Sequence, residues 1–247
     1  MIRSEPARAH LLWTALGRHL GTEASGRPAV RGHSVVLTYR RLAGAVARGA
    51  EELRAVVPAG RRVVIASRNQ LEVGLAFLAT LAAGRVAVLA DPTSPDRVGE
   101  IVERSRGVPF TAEGGGAARD GIPLVRVGEW ISTARDVERI ELPAVGPRDE
   151  AFWVFTSGST GPPRAVAHVH GAPLACFEAF ARRVVRLGPA DVTISTAGLP
   201  FVYALGNNFL FPLMTGASCV LPSDLLLPTV VAALVRHRAT VLVAGPW

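Results

Sequence analysis

The chain is predicted to be an α/β protein with largely parallel sheets flanked by helices, on three observations. Amphipathic helical stretches alternate with short β-branched runs, which is the sequence form of such a fold. Ala151-Phe152-Trp153-Val154-Phe155 has the apolar density of a central strand. Apolar residues make up 49% of the 247, enough for a substantial core in one large domain or two small ones.

The elements follow in order. Thr38 is placed to cap a helix whose apolar residues recur at Leu42, Val46, Ala50, Leu53 and Val57. A strand is expected at Arg62 to Ala66, then a helix from Asn69 through Val73, Phe77 and Leu81 that ends at Gly84, a residue suited to the left-handed closing turn. Val86 to Leu89 reads as a buried strand. Asp91-Pro92-Thr93-Ser94-Pro95 reads as a turn into a short charged helix near Asp96 to Arg104. Thr111 to Gly121 is too Gly-rich to pack and reads as a surface loop, followed by a strand at Ile122 to Val127. Past Phe155 the expected order is a short strand at Ala165 to Val169, a helix near Ala172 to Leu187, a strand near Val192 to Ser195 and a helix near Ala204 to Leu213. A strand at Ala217 to Leu221, a helix near Thr229 to His237 and a strand at Thr240 to Val243 complete it. The division expected is an N-terminal α/β subdomain, 1–150, and a phosphate-loop region with the start of a second, incomplete α/β subdomain, 151–247.

Charge and composition exclude several classes. The net charge of +7 invites a nucleic-acid reading, but the arginines are scattered singly or in pairs without interleaved aromatics, so a solvated surface is the better account. Charged residues interrupt every apolar run before membrane-spanning length, and Met1 to His10 has no secretion-signal pattern, so the expected location is cytoplasmic. Cys176 and Cys219 lack metal or redox spacing and are expected to pack in the core. Phe209, Phe211, Val231 and Leu234 are expected to pack in part against elements beyond this chain, leaving an apolar surface that self-associates. All 27 basic residues are arginine. A mechanism that needs a lysine cannot be completed by this chain alone.

One motif carries chemistry. Thr156-Ser157-Gly158-Ser159-Thr160-Gly161 packs four hydroxyls and two glycines into six residues, and Arg164 adds a guanidinium. Glycines let backbone N–H groups approach a ligand, hydroxyls donate further hydrogen bonds, and the cation balances phosphate charge. By itself such a cluster is most often a plain turn, but its place between a core strand and the β-branched run Ala165 to Val169 favours a ligand loop. It is not a Walker A loop, because its glycines are three apart and no lysine follows, nor a serine-hydrolase elbow, because Ser157 stands where the first glycine must be. His168 and His170, two apart, would share one strand face, but a third metal ligand is lacking and a structural or pocket-wall role is favoured.

The loop resembles the signature T-S-G-S-T-G-x-P-K-x-V of the adenylate-forming superfamily, matching at Thr156, Ser157, Gly158, Ser159, Thr160, Gly161, Pro163 and Val166, with Arg164 in the lysine position. Leu37-Thr38-Tyr39-Arg40-Arg41-Leu42 looks like the family's L-T-Y-x-E-L, and Ala76 to Val88 looks like its F-L-A-x-x-x-A-G-x-V-x-V. Phe201-Val202-Tyr203-Ala204-Leu205-Gly206-Asn207 is similar to the F-A-Y-G-L-G-N of benzoate-CoA ligases.

The resemblance implies the N-terminal region of the adenylate-forming fold, truncated. It implies activation of a small carboxylic acid, an aryl acid above all, by ATP with Mg2+, and transfer to CoA or a carrier thiol. Thr156 to Gly161 and Arg164 would hold the phosphates. Val202 and Tyr203 would line the acid pocket, and Phe201 would stand at the gating position; core packing is the alternative for all three. No catalytic residue and no metal ligand is assigned within the chain. Three readings remain open: an N-terminal fragment inactive by itself, half of a split ligase completed by a C-terminal polypeptide, or a noncatalytic relic serving as a binding or scaffold module. A carrier protein is a further possible partner; nucleic acid and membrane are not expected.

Overall fold

The structure, a computed structural model, describes residues 9–110, 127–156 and 164–245. Two five-stranded sheets carry it. The first has the order β10-β8-β9-β1-β2, from Pro28–Arg31 (β1), Val36–Thr38 (β2), Val192–Ser195 (β8), Ser218–Val220 (β9) and Val241–Val243 (β10). The second has the order β5-β3-β4-β6-β7, from Arg62–Ile65 (β3), Val86–Leu89 (β4), Val108–Phe110 (β5), Glu150–Phe155 (β6) and Ala165–Val169 (β7). In each sheet four strands run parallel and one edge strand, β2 or β7, returns antiparallel. Each sheet takes strands from both sides of residue 150.

The helices are α1 (Leu11–Ala15), α2 (Tyr39–Val56), α3 (Gln70–Ala82), α4 (Pro95–Ser105), α5 (Val127–Thr133), α6 (Gly171–Cys176), α7 (Val202–Ala204), α8 (Phe211–Thr215) and α9 (Leu227–His237). Thr38 caps α2 as expected, its hydroxyl accepting from the Arg41 N–H at 3.3 Å. The Tyr39 hydroxyl then donates to the Ala217 carbonyl at 2.7 Å, which ties the start of α2 to the first sheet.

α3 is apolar all round, as a helix enclosed by protein must be, and every residue from Val73 to Ala82 is buried. Phe77 meets Phe152 of β6 edge-on at 5.4 Å and Phe209 at 6.4 Å. The Gln70 side-chain oxygen accepts from the Leu199 N–H at 2.8 Å. Gly84 closes the turn at φ 70°. One apolar cluster runs through both sheets, with Val30, Val63, Phe77, Phe152 and Cys219 among its members.

Several expectations need correction. Val127 does not end a strand but opens α5, where Trp130 is fully buried against α2 and its indole N–H donates to Glu52 at 2.7 Å. Ile122 to Arg126 and the Thr111 to Gly121 loop lie outside the described residues. Cys176 is exposed; only Cys219 is buried. Phe209 and Phe211 are buried in this chain's own core, whereas α9 turns Leu227, Val231 and Val235 outward, each at least 50% exposed. The helix expected near Ala172 to Leu187 is α6 continued by a π-helix, Phe177–Val185, and the one near Ala204 to Leu213 contains a second π-helix, Leu205–Leu210.

Candidate functional site at the β6–β7 hairpin

The alternation of Phe152 and Val154 with Trp153 and Phe155 makes β6 a strand with two apolar faces, one in the main core and one in the smaller cluster with Val64 and Val88. It pairs with β7 in register, Phe155 opposite Ala165 and Phe152 opposite His168. One step further, the Thr156 N–H donates to the Arg164 carbonyl at 3.0 Å, and the Arg164 N–H donates to the Thr156 hydroxyl oxygen at 3.2 Å. The two ends of the Ser/Gly motif are thereby clamped. Ser157, Gly158, Ser159, Thr160 and Gly161 lie outside the described residues, so of the expected phosphate-binding set the structure describes Thr156 and Arg164, both exposed at the mouth of the hairpin.

A cavity of about 440 Å³ opens beside the hairpin. Val202 and Tyr203 stand in its wall, together with Phe152, Phe180 and Phe211. Phe201 is not among them. It lines a separate cavity of about 100 Å³ with Thr156, Asp91 and Arg97. The π-helical segments deliver Phe180, Gly206, Asn207 and Leu210 to the larger cavity. A π-helix is rare and costs regular hydrogen bonding, so two on one cavity fit a site where side chains are aimed for a purpose.

The two histidines separate. His168, at the end of β7, lies flat on Phe152 with ring centroids 4.7 Å apart and planes at 7°, in the cavity wall. Burial lowers its pKa, which keeps the ring neutral at pH 7. His170 begins α6 and belongs to the scaffold: its Nδ1 accepts from the Leu11 N–H at 3.2 Å, and its ring meets that of His10 at 4.6 Å. Burial holds His170 at about 4 and His10 at about 3. His168 takes the pocket-wall place that was one of its two expected roles, whereas Phe152, Cys176 and Asn207 carry no sequence signal as cavity residues. The register of the hairpin would have brought in Phe152, because it pairs with His168; nothing in the sequence announces the π-helical turns.

Two five-stranded, mainly parallel sheets, each drawing strands from both sides of residue 150, match the N-terminal architecture of an adenylate-forming enzyme. The solved structure of the anthranilate CoA ligase AuaEII, in complex with anthranoyl-AMP, superposes with a TM-score of 0.82 at 20% identity, over 94% of this chain and 49% of that one. A benzoate CoA ligase from Burkholderia xenovorans LB400 superposes at 0.75 with 24% identity, over 98% and 50%. The chain belongs to the AMP-binding enzyme family, which matches residues 18–246. It is similar to the p-hydroxybenzoic acid–AMP ligase of Mycobacterium tuberculosis, 32% identical over 89% of this chain and 32% of the relative. It is also similar to the benzoate–CoA ligase of Thauera aromatica, 30% identical over 69% and 31%. The chain thus spans about a third of the length of these curated relatives and half that of the solved chains.

Proposed function

We propose that this chain supplies the acid-binding and phosphate-binding part of an ATP-dependent acid–thiol ligase that converts an aryl carboxylic acid to its adenylate and passes the acyl group to CoA or a carrier thiol. The observation that carries the reading is the β6–β7 hairpin itself: Thr156 pairs with Arg164 at its mouth, and further along the same two strands Phe152 and His168 line an apolar cavity with Val202 and Tyr203. In the first half-reaction a carboxylate oxygen bonds to the α-phosphorus and the bond to the β-phosphate bridging oxygen breaks, releasing pyrophosphate. The loop hydroxyls, its backbone N–H groups and the Arg164 guanidinium would stabilise charge on the β- and γ-phosphates and on the leaving pyrophosphate without forming bonds to them. The aromatic wall would hold the ring and exclude water.

Magnesium would accompany ATP. Among the described residues no three His, Cys, Asp or Glu side chains stand together, and no step here runs through the ion. The rest of the machinery would come from further sequence or from a complementing polypeptide. With no lysine among its 247 residues, the chain alone should not form adenylate.

Calorimetric titration with a nonhydrolysable benzoyl-adenylate analogue tests the site, and saturable binding is expected. Absence of binding would overturn the reading. Acid-dependent pyrophosphate exchange by the pure chain would overturn the claim that it is incomplete.

A further inference from the structure

The larger cavity is apolar except for a few groups whose hydrogen-bonding state decides what can fill it. Among the described residues no Asp, Glu, Arg or Lys lines it. Asn207 donates a side-chain N–H to the Tyr203 carbonyl at 3.0 Å, which ties its amide to the helix while the amide oxygen has no partner among the described residues, and the Tyr203 hydroxyl reaches the Ala244 carbonyl at 3.5 Å. His168 is different. Phe152 covers one face of its ring, and among the described residues no partner is bonded to either ring nitrogen. A ligand that closes this cavity would strip water from an imidazole N–H and an imidazole lone pair. Leaving such groups unpaired is penalised, so the best-fitting ligand is one that replaces the lost water bond.

We infer that the cavity takes an aryl acid whose ring carries a neutral hydroxyl or amino group, and that His168 is the residue that reads this group. The inference rests on the aryl-acid reading above and narrows it. A neutral imidazole offers one donor and one acceptor, so it can serve a phenol or an aniline equally. Stacking on Phe152 fixes the ring plane, so the hydrogen bond is made without freezing a mobile side chain. A charged ring substituent would meet no counter-charge and is disfavoured.

The test is calorimetric binding of benzoate, the three hydroxybenzoates, the three aminobenzoates and terephthalate to the full chain, to His168→Leu and to His168→Asn. At least one hydroxy- or aminobenzoate should bind about tenfold more tightly than benzoate, the size of one partly exposed hydrogen bond. Terephthalate should bind more weakly than benzoate. His168→Leu should bring the preferred acid to parity with benzoate while leaving benzoate binding in place, and His168→Asn should keep part of the preference. Parity in the wild-type chain overturns the inference, as does a preference that survives His168→Leu. If His168→Leu does not fold, the wild-type ratio and His168→Asn decide. Failure of every acid, benzoate included, overturns the aryl-acid reading and this inference with it; benzoate binding at parity removes the inference alone.

Discussion

Thr156 and Arg164 hold each other twice, backbone to backbone at 3.0 Å and backbone to hydroxyl at 3.2 Å, so the Arg164 backbone enters β7 from a fixed position. Under the proposed function its guanidinium would meet the phosphates. A charged hydrogen bond is worth about 1.5 to 3 kcal/mol, so Arg164→Ala should weaken ATP binding about 10- to 100-fold. Arg164→Lys keeps the charge, loses the planar fork and should cost much less. Titration of ATP by calorimetry reads both, and wild-type affinity in Arg164→Ala would put the guanidinium outside the site.

Two glycines make an opposed pair for stability. A Cβ at Gly44 of α2 would sit 1.8 Å from the Arg135 carbonyl oxygen, whereas one at Gly99 of α4 meets nothing within 4 Å. Gly44→Ala should lower stability by about 1 to 3 kcal/mol or more, through forced displacement of the segment after α5. Gly99→Ala should raise it by about 0.5 to 1 kcal/mol, by reducing the freedom of the unfolded chain. Urea melts of the two variants check the signs, and equal effects would contradict the packing described.

Acid should loosen the molecule through the His10–His170 contact. The folded chain holds these rings at about 3 and about 4, below the ordinary value of 6.5, because burial disfavours their charged forms. Above pH 6.5 both are neutral folded or unfolded, and stability is full. Below it the unfolded chain takes up protons that the folded chain refuses, so stability falls by up to about 1.4 kcal/mol per pH unit for each ring. The urea midpoint should therefore drop between pH 7 and pH 5, and less so in His170→Asn. A flat profile over that range would refute the burial of the pair.

The two thiols should respond differently to an alkylating reagent. Cys176 is exposed in the cavity wall, while Cys219 is fully buried, its thiol pushed up by burial and directed at the Ala29 carbonyl 3.6 Å away. Mass spectrometry of the native chain should find maleimide on Cys176 alone, with Cys219 labelled only in denaturant. A bound aryl acid should slow the labelling, and labelling of Cys219 in the native state would contradict the fold.

Much of the scaffold was legible because its long elements carry strong local signals. α2 has a capping threonine and helical spacing, α3 has a run too apolar to face water, and β3, β4 and β6 are β-branched or aromatic runs. What was missed is short or set by distant partners. β1, β2 and β5 have only three or four residues, too few to establish a period; β1 and β5 become strands through neighbours far along the chain, and β2 through its pairing with β1. α5 was obscured because Val-Gly-Glu-Trp-Ile has no helical bias of its own, and burial of Trp130 decides the outcome. At the site, the cavity positions of Val202 and Tyr203 follow the resemblance of Phe201 to Asn207 to the F-A-Y-G-L-G-N segment. The stacking of His168 on Phe152 could not be read locally, because it depends on hairpin register.

The pairing of β1 with β9 has a consequence for how the molecule is made. Ala29 and Cys219, which touch in the finished sheet, are 190 positions apart, whereas the strands of the second sheet all come from residues 62–169 between them. A ribosome adding roughly 5 to 20 residues per second needs on the order of 10 to 40 s to cover that distance. During this interval the inner sheet can assemble while Val30, paired with Leu37 on one side, waits on the other for Cys219. The start of the chain is thus among the last parts to settle, and a pause in translation before Cys219 would prolong the time in which that apolar edge is open to wrong partners.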